Sequence, residues 1–86
     1  MRKHIQNCLK EIFRIALIQT RDEGKLSQEE MAHRLMMATR SYIGLEHGES
    51  CCSTVTFVLF LLYLCPDVTT FLKELRQALE AGQEAA

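Results

Sequence analysis

The chain has little that would stop a helix and little that would build a reactive centre. It holds one proline and four glycines in 86 residues. That suits one small, all-helical domain. Its longest nearly apolar stretch, Val55 to Cys65, is about half the ~20 residues that a membrane span needs. The first residues do not resemble a signal peptide, because charge interrupts Ile5 to Ile18. The four cysteines (Cys8, Cys51, Cys52 and Cys65) include no CxxC pair, and adjacent Cys51 and Cys52 do not make an unstrained bridge. Free thiols in a reduced, cytoplasmic protein are therefore expected. No nucleophile–base set, carboxylate pair or glycine-rich phosphate loop is present, so no enzyme activity is expected. His47, Cys51, Cys52 and Cys65 match no zinc-ligand spacing, so neither a metal nor another cofactor is expected. A redox-sensing thiol at Cys51 or Cys52 has no support in sequence. Nothing points to a small-molecule ligand.

Charge of one sign is also lacking overall, with a net value of −1. Its distribution is uneven. Arg2, Lys3, Lys10, Arg14 and Arg21 stand against Glu11 alone at one end, and Asp67, Glu74, Glu80 and Glu84 outnumber Lys73 and Arg76 at the other. One basic and one acidic end suit a molecule with one face toward phosphate.

What the chain does have is helical periodicity. Ile5, Leu9, Ile12, Ala16 and Ile18 predict a first helix over about 3–22, ended by Gly24. Ser27 and Glu30 read as a capping box for a second helix over 28–35. Met36, Met37 and Ala38 form a turn, and a third helix covers about 39–46. Gly48 supplies the left-handed closing residue. Ser53 caps a fourth helix, about 54–64, which Pro66 stops; Asp67 caps a fifth, about 68–81. The fourth helix is apolar on nearly every side, which predicts burial all round. A domain this small does not cover such a helix, so helices four and five are expected to form a two-fold dimer interface through Val58, Leu59, Leu62, Phe71 and Leu75.

Leu26-Ser27-Gln28-Glu29-Glu30-Met31-Ala32, followed without a gap by Leu45-Glu46-His47-Gly48, carries a specific likeness. The chain resembles the lambda-repressor/Cro-like helix-turn-helix regulators of the xenobiotic-response-element type over about residues 17–72. The resemblance implies a single domain over 1–86 of five-helix, lambda-repressor-like architecture, with the helix-turn-helix at about 27–46. It implies a dimeric regulator of transcription, a probable repressor, that binds double-stranded DNA with its third helix in the major groove. The rival expectation is a protein-interaction module that keeps this scaffold, an antitoxin-like partner or co-regulator.

The resemblance also implies roles for residues. Thr39, Arg40, Ile43 and Gly44 would face base edges from the outward side of helix three. Arg40 is suited to guanine O6 and N7, the plainer alternatives being a solvated charge or a phosphate contact. Gln28, Ser41, Lys25 and Arg14 would meet phosphates, with Gln28 also bracing the third helix, and an ordinary exposed glutamine is an equal reading of Gln28. Arg21 and Glu46 would form a partly buried ion pair joining helix one to the end of helix three. Met36 stands where the family usually begins its turn with glycine, and Ala38 where it usually has a capping serine. A cap at Thr39, one residue late, is therefore expected.

Overall fold

Apolar residues every third or fourth position, with no interior proline or β-branched run, give α1 its length. It spans Arg2–Gly24. In the computed structural model, which describes residues 2–85 (side chains through 81), α2 (Gln28–Arg34), α3 (Thr39–Glu46), α4 (Thr54–Tyr63) and α5 (Val68–Ala85) follow. The ends of the expected 1–86 domain, and the Glu84 side chain, lie outside these residues. No strand occurs among the described residues, so the molecule is all-α. None of its described helices is long and apolar enough to cross a membrane.

Local rules set most helix ends. Ser27 Oγ accepts from the Glu30 amide at 3.0 Å and the Glu30 carboxylate turns back to Ser27, completing the capping box. Ser53 Oγ accepts from the Thr56 amide at 3.1 Å. Asp67 Oδ1 accepts from the Thr70 amide at 3.1 Å. Gly48 closes α3 at φ +74°, with the Glu49 amide donating to the Gly44 carbonyl at 2.9 Å.

Two ends differ from expectation. Gly24 is still helical, and Lys25 takes the left-handed conformation at φ +53°. The Leu26 amide then returns to the Arg21 carbonyl at 2.9 Å, which turns Leu26 in against the core. The register of that apolar anchor decides which residue closes the helix. At α3, Ala38 is the N-cap and no side chain caps it. The Ala38 carbonyl accepts the first helical bond, from Tyr42 N at 3.0 Å. That requires no hydroxyl, so helix three starts at Thr39 as a helical residue and not as a cap.

The core joins Phe13 and Leu17 of α1 to Met31 and Ala32 of α2, Leu35 just beyond it, Tyr42 and Leu45 of α3, and Phe60 of α4. All four phenylalanines meet. Phe60 stands edge-on to Phe13 at 5.1 Å and to Phe71 at 5.6 Å, and Phe57 lies near both. Such tilted contacts favour the ring quadrupoles.

As expected of so small a domain, the monomer does not cover α4 on all sides. Only Thr56 and Phe60 are buried; Val55, Val58, Leu62 and Tyr63 are exposed. Its neighbours reach only one side of it. Of the residues expected at a dimer interface, Leu59 and Phe71 pack partly against the core. Leu75 faces α1, sharing a groove with Ile12 and Phe13. Val58 and Leu62 point outward. Among the described residues of α5, the large apolar side chain left exposed is Leu72.

Candidate functional site

A short helix such as α3 has too few internal bonds to hold its own direction. Tyr42 and Leu45 seat it in the core, and one carboxylate ties it to its neighbours. Glu46, at the last position of α3, keeps only 3% of its side-chain surface exposed. Arg21 of α1 reaches it with both ends of its fork, Nε to Oε2 at 2.8 Å and one terminal nitrogen to Oε1 at 3.1 Å. Gln28, the first residue of α2, donates its side-chain amide to Oε1 at 3.2 Å. The Tyr42 hydroxyl, one turn earlier in α3, donates to Oε2. Three helices are thus tied to a single buried side chain.

The electrostatics agree with the geometry. Burial alone would raise the Glu46 pKa, but the hydrogen bonds from Arg21, Tyr42 and Gln28 outweigh it and hold the carboxyl below its ordinary value. Burial, followed by the bond to Glu46, pushes the Tyr42 hydroxyl well above its usual range. The bond to Glu46 raises Arg21 further. The charged form of the pair is the one the fold stabilises, and no buried side-chain polar atom among the described residues lacks a partner.

This brace leaves one side of α3 uncovered. Arg40 and Ser41 are exposed, and Thr39 and Ile43 are half-buried beside them. Gly44 is different: it is buried. A Cβ there would lie 3.5 Å from Ser50 Oγ and 3.7 Å from Glu49. The chain after Gly48 folds back over Gly44, which removes it from the outward set.

The expected phosphate group separates too. Lys25 and Ser41 are exposed. Gln28 is not a free surface glutamine, because its amide donors face Glu46. Arg14 is engaged by Glu11 through two hydrogen bonds, and its Cδ lies near Gly48. Its charge is matched one turn away rather than left open.

Tyr42 is not among the residues expected at the site. Its hydroxyl belongs to the brace, and the Tyr42–Glu46 spacing of four residues within one helix was the available signal. Exposed Met36, at the corner before α3, was read only as a turn residue. Comparison with known protein families, curated proteins and solved structures finds no match.

Proposed function

We propose that the chain is a sequence-specific DNA-binding transcriptional regulator, a repressor that acts as a dimer. In this reading α2 and α3 are a lambda-repressor-like helix-turn-helix, and α3 lies in the major groove. The observation that carries it is the Glu46 brace, which fixes α3 to α1 and to the start of α2 while Arg40 and Ser41 stay exposed. A reader of base edges needs its recognition helix held at a fixed angle, and burying the anchor charge leaves the outward side free for contact. Arg40 reads guanine, with Thr39 and Ile43 beside it. Ser41 and Lys25 meet phosphate.

Selection of duplexes from a random pool tests this. Enrichment of a two-fold symmetric site with half-sites about one helical turn apart is expected. Arg40→Ala then relaxes one base position by ~1–3 kcal/mol. No enriched sequence from folded protein overturns the reading.

One observation favours a second reading, a protein-interaction module on the same scaffold. Met36, 75% exposed, stands just before α3, and exposed Glu29 and Glu30 lie on α2. An exposed apolar knob, on a motif whose second helix also exposes two carboxylates, suits a protein partner better than a polyphosphate. Salt separates the two, since phosphate contacts weaken steeply with salt and an apolar interface does not.

A further inference from the structure

The connection from α3 to α4 carries two adjacent thiols, Cys51 and Cys52, that take no part in the brace. Neither is bridged. Both line a groove of about 210 Å³ together with Gln6, Leu9 and Lys10 of α1. Cys51 is exposed and Cys52 half-buried. Cys52 also stands in the wall of a second, larger groove of about 310 Å³, which Phe13, Phe57 and Phe71 line with their rings. Leu9 and Cys52 belong to both grooves, so the thiol pair stands at the wall the two grooves share. Burial, then the neighbouring Cys51, raises the Cys52 thiol above its ordinary range. Cys52 by itself is therefore poorly suited to attack as a thiolate.

The number of donors decides what such a site takes. A structural zinc site wants four nitrogen or sulfur ligands, and no group of three or more His, Cys, Asp or Glu side chains suited to a metal ion occurs among the described residues. Two sulfurs beside an aromatic-lined cavity match a soft, trivalent centre that keeps one carbon substituent. We propose that Cys51 and Cys52 bind trivalent aryl-arsenicals, with both sulfurs on arsenic and the aryl group in the cavity beside Phe13, Phe57 and Phe71. For an arsine oxide the two As–S bonds replace the two bonds from arsenic to oxygen. Both thiol protons leave with that oxygen as water. Arsenic stays trivalent and no electron is transferred, so no oxidant is needed.

Titration of the reduced, full chain with phenylarsine oxide tests this, with free thiols counted after each addition. One equivalent should remove two of the four thiols. Cys51→Ser and Cys52→Ser should each abolish the tight step, while a Cys8→Ser/Cys65→Ser double variant keeps it. Dithiothreitol competition should also show the phenyl compound favoured over its methyl analogue, by roughly tenfold more than the free dithiol favours it, because a ring is buried. Unchanged stoichiometry and affinity in Cys51→Ser overturns the site. A phenyl preference no greater than that of the free dithiol overturns the role of the cavity and with it the aryl-arsenical assignment.

Discussion

Glu46 shows at the scale of one residue how a buried charge is made tolerable. A buried carboxylate is costly unless its partners are complete. Arg21, Gln28 and Tyr42 complete them, and removing one exposes the balance. Arg21→Ala should lower stability at pH 7 by about 2 kcal/mol. That is less than the ~3–5 kcal/mol of a fully buried pair, because Arg21 is itself 30% exposed and two donors remain on Glu46. The pH dependence carries the sign. In the native chain the Glu46 pKa lies below its ordinary 4.5, so its contribution is complete above about pH 4.5 and is lost as pH falls further through the folded value. In Arg21→Ala that depression relaxes and the carboxyl takes a proton more readily. The deficit relative to the native chain should therefore shrink toward pH 4. Urea unfolding of both proteins across pH 4–8 checks this, and a deficit independent of pH would remove the ion pair from the explanation. Tyr42 acts at the other extreme. Its raised pKa means that its contribution is intact below about pH 10 and declines as pH rises beyond that.

Met36 is a second residue whose conformation has a measurable cost. It sits at φ +56°, where a side chain clashes with its own backbone, and its own side chain is largely in solvent. Met36→Gly removes the clash and loses little packing. A gain of about 0.5–1 kcal/mol in thermal unfolding is expected. Gly48→Ala should show the reverse. Its added Cβ meets only an ordinary contact 3.5 Å from Arg14 Cδ, so the loss, about 1 kcal/mol, comes from the φ of +74°.

At the scale of helices, the ends that rest on a side chain bonding its own backbone were legible in the sequence. Ser27 with Glu30, Ser53 and Asp67 all cap where their spacing implies, because the partner amide is only three residues away. Features set by distant packing were not legible in the periodicity, and the Arg21–Glu46 pair, 25 positions apart, was reached only through the resemblance. An all-apolar helix carries no pattern that says which side meets the core, so α4 could not be oriented before Phe60 was seen among Phe13 and Phe71. The side of α3 on which Gly44 lies depended on Glu49 and Ser50 folding back, which no periodicity encodes. Gln28 stands 18 positions from its partner, so only the resemblance suggested that it braces helix three. The uncapped start of α3 gives this scale its own test. Ala38 already has cap geometry, at φ −68° and ψ 143°, and lacks only an acceptor. Ala38→Ser should raise stability by about 1 kcal/mol, read as a higher urea midpoint at unchanged slope. A fall would mean that the turn before α3 depends on a bare side chain.

For the whole molecule, the decisive contrast lies between the two sides of α4. Phe60 sits at the centre of the ring cluster, and Phe60→Ala should cost ~3–5 kcal/mol in the folded monomer. Val55, Val58, Leu62 and Tyr63 hold no such place. Val55 is 68% exposed and Leu62 67%, so the monomer gains little from either. A contiguous apolar stripe left in water is the mark of a surface that another molecule covers. In the proposed regulator that molecule is a second copy meeting the first through an isologous, two-fold contact. Leu62→Lys places two charges near the axis of that contact while leaving the core alone. The variant should keep its far-ultraviolet circular dichroism and unfold near the native midpoint, yet sediment as a monomer where the native chain sediments as a dimer. Its affinity for a two-fold symmetric site should drop far more than its affinity for an isolated half-site, because only the symmetric site rewards both recognition helices at once. A native chain that is already monomeric at high micromolar concentration, and that binds whole and half-sites alike, would assign the stripe to a different partner and leave each α3 to act alone.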